Sequence, residues 1–250
     1  MLATLKNYPK AVNLLLAATS VLTLARAITL PYLVIYLSGS FGLSVAEIGL
    51  VVGSTLIIGS LLSLYGGFLL DKLANFWLIL IFSGLYALGF LGTFFTGELW
   101  LFYLCLVAIN LAYAVIDIAV KSGFGNLLPV TERSEAFSIK YTLTNVGYAV
   151  GPFLGAGLAQ LDISLPFVLS AGLSAGFTLA YWRWGERGLS NVDPQPAPFL
   201  AVGKLLLRDQ RLVCFTLGGV LAGAGVVQAD QVDAAAQLVA VDPEAGARAA

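Results

Sequence analysis

Long apolar stretches separated by short polar breaks dominate this chain. Runs able to cross about 30 Å of hydrocarbon at 1.5 Å per residue occur at roughly 11–37, 46–70, 76–96, 99–120, 137–160 and 165–184. Each predicts a membrane-spanning helix, and the short connections favour antiparallel neighbours. A seventh run, 212–228, is shorter and rich in glycine, and reads as a partial seventh helix. The organisation expected is therefore a six-helix bundle over 1–184, a linker over 185–211, the partial helix, and a tail over 229–250.

The polar breaks sort by charge. With the N-terminus on the cytoplasmic side, Lys6, Lys10, Lys72, Lys121, Arg133, Lys140, Arg183, Arg187, Lys204, Arg208 and Arg211 all fall on that side. The three opposite loops, around Gly39, Gly97 and Asp162, hold no Lys or Arg, and basic asymmetry of this kind sets membrane orientation. Glu47, Glu98 and Asp162 do lie on the opposite side, where acids count for little. Glu132, Arg133 and Glu135 are expected in a cytoplasmic loop ahead of the fifth span. Pro194, Pro196 and Pro198 mark the linker, where a plain flexible loop would look the same. Lys6 and Lys10 before the first apolar run resemble a signal peptide, but the run is too long for one and shows no cleavage pattern, so it is kept as a span.

Composition narrows the function classes. Hydrophobic residues make up 59% and charged residues 11% of the chain, so it reads as a polytopic membrane protein. A net charge of -1, with no basic run interleaved with aromatics, gives no reason to expect a nucleic-acid partner. No histidine is present, and Cys105 and Cys214 both sit in apolar stretches, so neither a Cys/His metal cluster nor a disulfide framework is expected, and no cofactor. A membrane enzyme would need a nucleophile with its base or paired carboxylates, and only Asp117 lies deep enough to consider. Enzymatic function is not expected.

A few residues inside the spans carry the chemistry. Arg26 is the one base deep in the membrane, followed by Pro31 and Tyr32. Such a charge costs about 2.5–3.5 kcal/mol to insert and faces the bundle interior or a wet cavity, either for function or for a structural pairing. Asp117 lies too far along its helix to reach Arg26 directly and is expected to pair with Lys121, one turn on. Trp77, Trp100, Trp182 and Trp184 at span ends read as an interfacial aromatic belt. In the fifth span Gly147, Gly151 and Gly155 recur every four residues, forming a ridge on which a neighbouring backbone can approach closely, with Pro152 inside it. A plain helix-packing contact accounts for such a ridge, and so does a transport motif.

The motif reading comes from resemblance. Asn145, Gly147, Gly151, Pro152 and Gly155 resemble the antiporter motif in the fifth helix of major facilitator superfamily exporters. Gly67, Asp71 and Lys72, after the second span, are similar to the first half of that family's signature loop; Ala74, Asn75 and Phe76 depart from its second half. Where the family often carries a buried arginine in the fourth span, this chain has Ala108, Ile109 and Asn110. The resemblance covers about residues 10–222 and is greatest to a drug/proton antiporter branch linked to peptide, sugar or drug efflux.

It implies an all-α membrane fold, the N-terminal six-helix bundle built from 3+3 inverted repeats, in a bacterial-type inner membrane. It also implies a secondary transporter working by alternating access, with Arg26, Tyr32, Asn110 and Tyr113 along the substrate or ion pathway. The partners implied are a small-molecule substrate, a proton or other coupling ion and the lipid bilayer, with self-association of half-transporters as a further possibility. An inactive or regulatory half-transporter is the alternative. Nine of the final 22 residues are alanine, and acids interrupt every apolar run there, so residues 229–250 read as a disordered or frameshifted tail on a truncated transporter.

Overall fold

The computed structural model describes residues 8–187. The remainder of the predicted linker, the partial seventh helix, the tail, Lys6, Cys214 and the side chain of Asp71 lie outside the described residues. Six helices follow one another: α1 Lys10–Phe41, α2 Val45–Lys72, α3 Asn75–Phe95, α4 Leu99–Leu127, α5 Val130–Ala159 and α6 Leu165–Trp184.

Local chemistry fixes the turns. Gly42 closes α1 with φ of 65°, a left-handed conformation that its missing Cβ permits, and donates its N–H to Leu37 and Ser38 carbonyls. Ser44 then opens α2 through a reciprocal capping box with Glu47. Before α6, the Asp162 carboxylate accepts from the Ser164 backbone N–H at 2.7 Å and from its hydroxyl at 2.5 Å. Those two bonds stabilise the charged form and hold the Asp162 carboxyl below its ordinary range.

Two boundaries differ from expectation. α4 continues to Leu127 rather than ending near 120, and α5 begins at Val130 rather than near 137, so only Leu128 and Pro129 separate them. Hydropathy marks the apolar part of a helix, while the backbone ladder carries on past it. Pro129 lacks an N–H and suits a helix start, and Glu132 in the first turn complements the helix dipole. Glu132, Arg133 and Glu135 are thus in the first turns of α5 and not in a loop, with the Arg133 Nε–H donating to the Leu128 carbonyl at 2.9 Å. Among the described residues five helices are long and apolar enough to cross a membrane; α5 falls short because its charges fill the first part and Thr142, Thr144, Asn145, Tyr148, Pro152 and several glycines dilute the rest. Its remaining residues, 141–159, carry no charge and extend about 28 Å.

Packing pairs the helices in a repeated pattern. α1 lies along α5, and α4 lies along α2; α4 also packs on α3 as α1 packs on α6, and α3 meets α6. Matching α1, α2 and α3 with α4, α5 and α6 in turn superposes these interfaces on one another. Both long seams are parallel pairs, but α1 and α5 run opposite to α2 and α4, so the two three-helix units are related by inversion.

Each seam is lined by small residues. A Cβ on Gly147 would meet Thr23 Cγ2 at 3.2 Å, one on Gly151 would collide with Ala27, and one on Gly155 with the Ile28 carbonyl and the Tyr32 ring. On α2 the buried stripe is Thr55, Gly59, Ser63 and Gly66. A Cβ on Gly59 would meet Asn110 Cβ at 2.7 Å, and one on Gly66 would meet Val115 Cγ2 at 2.7 Å. In a solvent as apolar as the helices, close backbone approach supplies the association energy that exclusion of water supplies elsewhere. Several buried hydroxyls are absorbed by backbone carbonyls: Ser170, fully buried on α6, donates to Pro166 O at 2.8 Å and shares its proton with Ala25 O of α1 at 2.7 Å.

Candidate functional site

Arg26 projects from α1 between the fully buried Ala25 and Ala27, while its own side chain is partly open. Its guanidinium carbon lies 4.6 Å from the centroid of the Tyr113 ring of α4. A cation in this position over an aromatic face gains about 0.5–2 kcal/mol, more as water is excluded. Among the described residues no carboxylate forms an ion pair with Arg26.

Tyr113 is itself held in place. Its hydroxyl lies 3.1 Å from Thr23 Oγ1 of α1, so the phenol ties α4 to α1. Its ring leans on Tyr86, 6.2 Å between centroids, and the fully buried Tyr86 donates its hydroxyl to the Leu22 carbonyl at 3.0 Å. The platform under the guanidinium is therefore fixed from behind.

Asn110 lies one turn before Tyr113 on α4 and donates its amide to Thr55 Oγ1 of α2 at 3.2 Å. Arg26, Thr29, Thr55 and Asn110 line one cavity of about 50 Å3, closed by Leu33, Phe90 and Phe167. A smaller space of about 10 Å3, enough for a single water, is lined by Thr19, Thr23, Tyr113 and Asp117. Two of the predicted pathway residues, Arg26 and Asn110, thus share a cavity, and Tyr113 links it to the second space.

Tyr32 is placed elsewhere. It lies on the α1–α5 seam against Gly155, and its hydroxyl donates to the Pro152 carbonyl at 3.1 Å. Of the antiporter-like residues, Gly147, Gly151 and Gly155 are buried in that seam, while Asn145 faces outward. In the loop motif Gly67 has open space around it, and the Lys72 ammonium sits 4.4 Å from the Phe68 ring centroid. Asn75, at the departure from the family pattern, reaches across to α4 and donates to the Ala119 carbonyl at 3.1 Å.

Asp117 pairs with Lys121 at 2.6 Å, as its spacing predicts, but also with Lys140 of α5 at 2.7 Å. Lys140 is the more enclosed of the two lysines, with 13% of its side chain exposed against 53% for Lys121. The second partner was legible in depth: Asp117 and Lys140 lie near the same end of neighbouring spans. Thr23, which the sequence reading passed over, had no such signal, because a hydroxyl on a mainly apolar helix is ordinarily absorbed by its own backbone.

The arrangement is a fixed cation on an aromatic bed, flanked by hydroxyl and amide donors, on a face shared by α1, α2, α4 and α5. Chemically it can bind an anionic group by charge and by planar hydrogen bonding.

The Major Facilitator Superfamily family model matches residues 15–237. The chain is 35% identical over 213 residues to the uncharacterized MFS-type transporter YdeE of Escherichia coli (strain K12), covering 85% of this chain and 54% of that protein. It is 26% identical over 197 residues to the multidrug resistance protein MdtH of Cronobacter sakazakii, covering 76% and 47%. It is also 24% identical over 226 residues to a Na(+), Li(+), K(+)/H(+) antiporter of Planococcus maritimus, covering 81% and 51%. The chain spans about half the length of these curated relatives. An inverted pair of three-helix units, a signature-like loop and a glycine seam agree with the matched family model, and the chain belongs to the major facilitator superfamily.

Proposed function

We propose that this chain forms one wall of a secondary transporter that exports small molecules from the cytoplasm across a bacterial inner membrane in exchange for protons, by alternating access. The observation that carries the reading is Arg26, a half-enclosed cation bedded on Tyr113, with no acidic ion-pair partner among the described residues. A charge kept in a membrane bundle at such cost is a functional group by default, and its chemistry suits a carboxylate or phosphate on the substrate. The seams of small residues support the motion, since smooth backbone ridges let α5 shift on α1 and α2 on α4. Export, rather than uptake, follows the likeness to the antiporter motif, and one relative is named for multidrug resistance and another as a cation/proton antiporter. The orientation, with the N-terminus cytoplasmic, rests on the basic-residue asymmetry.

The test is transport. Residues 1–211 joined to the second half of the Escherichia coli relative should lower accumulation of carboxyfluorescein in cells, and an uncoupler should restore it. Arg26→Ala should abolish the export at an unchanged membrane level of protein, and Arg26→Lys should keep only a small part of it. Full export by Arg26→Ala rejects the assignment of Arg26 as a substrate contact.

A further inference from the structure

The small cavity beside Arg26 holds two hydroxyls whose protons are already committed. Thr55 Oγ1 lies 2.8 Å from the Val52 carbonyl oxygen of its own helix, an atom that can only accept, so the hydroxyl donates there. Thr29 likewise donates to the Arg26 backbone carbonyl at 3.0 Å. Both threonines are buried, and neither hydroxyl has a proton left for a ligand.

This settles how Asn110 stands. Thr55 Oγ1 has lone pairs alone to offer across the α2–α4 seam, so the Asn110 atom 3.2 Å away is the amide nitrogen and not the oxygen. The opposite arrangement would set two acceptors against each other. Asn110 Oδ1 is thereby turned away from Thr55, and no group among the described residues donates to it. It is also not sealed in: the unpartnered oxygen of Asn75 is buried, whereas Asn110 is half-buried and its oxygen retains open surface. Asn110 borders the Arg26 cavity and not the smaller space beside Asp117, so that surface is offered on the guanidinium side.

α4 sets the spacing. Tyr113, whose ring carries the guanidinium at 4.6 Å, follows Asn110 by three residues, which places their Cβ atoms about 5–6 Å apart on one helix face. A cation able to hold an anion and an uncharged acceptor therefore stand about one turn apart. Among the described residues no carboxylate lines the cavity, so an ammonium brought there would meet the Arg26 charge with nothing to offset it. Leu33, Phe90 and Phe167 offer apolar walls. At about 50 Å3 the cavity is several times the roughly 10–15 Å3 that one water needs, room for the head of a ligand whose remainder lies outside.

We propose that Asn110 sets the substrate class of the Arg26 site: an organic acid carrying an uncharged hydrogen-bond donor, a hydroxyl or amide N–H, about one helical turn from its carboxylate. Arg26 holds the carboxylate and Asn110 Oδ1 accepts from the donor. Thr55 is a positioning residue that keeps the amide oxygen, rather than its nitrogen, toward the ligand. An acid without the donor displaces water from that oxygen and leaves it unpaired, which is the source of the discrimination. The proposal rests on Arg26 as the anion contact.

The test uses the full 250-residue chain in lipid nanodiscs at pH 7, titrated in ligand-observed saturation-transfer NMR with empty nanodiscs as the blank. 3-Hydroxybenzoate should bind about five-fold more tightly than 3-methylbenzoate, which has its shape but no donor. 3-Methoxybenzoate, which accepts but cannot donate, should bind no better than 3-ethylbenzoate. Asn110→Leu should bring the hydroxyl-to-methyl ratio to about one while 3-methylbenzoate still binds. Thr55→Val frees the amide to turn, so the hydroxyl preference should fall and the methoxy compound should gain on the ethyl one, a reversal that a packing defect would not produce. If Asn110→Leu does not fold, Thr55→Val serves in its place. Arg26→Ala should remove binding of the whole series. If the acids bind through Arg26 but the hydroxyl and methyl compounds bind alike, or if their ratio is unaltered in Asn110→Leu, the role of Asn110 is overturned and that of Arg26 stands. If no acid binds, or Arg26→Ala binds them as the unaltered chain does, Arg26 is not the anion contact and the role of Asn110 falls with it.

Discussion

The Arg26 guanidinium rests 4.6 Å from the centre of the Tyr113 ring, and the hydroxyl of the same tyrosine is hydrogen-bonded to Thr23. One side chain therefore does two jobs, supporting a charge with its face and joining α4 to α1 with its edge. The two are separable by substitution. Tyr113→Phe keeps the face and should cost about 1 kcal/mol of stability for the lost hydroxyl bond to Thr23. Tyr113→Leu removes both and should also reduce export by the fused transporter to the level of Arg26→Ala. Equal export defects in Tyr113→Phe and Tyr113→Leu would show that the bonded hydroxyl, and not the ring, is what Arg26 needs.

Asp117 holds two lysines of unequal worth. Lys121 is largely exposed on the same helix, and its pair should contribute about 0–1 kcal/mol. Lys140 is enclosed and comes from the next helix, so Lys140→Met should cost more than Lys121→Met, by about 1–2 kcal/mol. Asp117→Asn should be the most damaging of the three, because it leaves an enclosed ammonium without its counter-charge. Unfolding midpoints of the three variants in one detergent rank them, and a larger loss with Lys121→Met reverses the assignment.

The basic-residue asymmetry implies which ends of these helices meet the cytoplasm. In a chain with Cys105 and Cys214 changed to Ser, a thiol at Gly97 should react with a membrane-impermeant maleimide added to intact spheroplasts, and a thiol at Ala74 should react only after lysis. The reverse pattern inverts the orientation and with it the proposed direction of transport.

What the sequence disclosed depends on how a residue's role is encoded. Six helices were legible because a helix in lipid must satisfy its backbone internally and wear an apolar surface over about 20 residues. The α5 side of the α1–α5 seam was legible because three glycines at a spacing of four make a ridge for close backbone approach, though not that α1 would fill it. Its inverted partner on α2 was hidden by chemistry: Thr55 and Ser63 are as small as the seam requires, but they read as polar beside Gly59 and Gly66. Arg26 stood out by depth alone, whereas Tyr113 was named only through the family resemblance, and its place under the guanidinium became visible once α4 was turned toward α1. Tyr32 was named for its polar tip, and the fold sets that tip on the Pro152 carbonyl in the α1–α5 seam, a contact its place in the sequence did not disclose.

The two seams yield the most direct test of the inverted architecture. If close backbone approach holds both three-helix units, a side chain added at Gly151 or at Gly59 must push two backbones apart, because the atoms it meets are backbone or Cβ and cannot rotate away. Gly151→Leu and Gly59→Leu should each destabilise by about 1–3 kcal/mol or more, the range for overpacking a tight contact. Gly67 and Gly157 lie on the same two helices with nothing within reach of an added Cβ, so Gly67→Leu and Gly157→Leu should be nearly neutral. Leu154→Ile, on the exposed side of α5, should be neutral as well. The comparison separates packing from helix propensity, since replacing glycine by leucine raises helix propensity equally at all four positions and would stabilise them all if nothing else intervened. Unfolding midpoints of the five variants decide it. A loss at Gly151 without a matching loss at Gly59 confines the contact to the α1–α5 seam and removes α2–α4 as its structural counterpart.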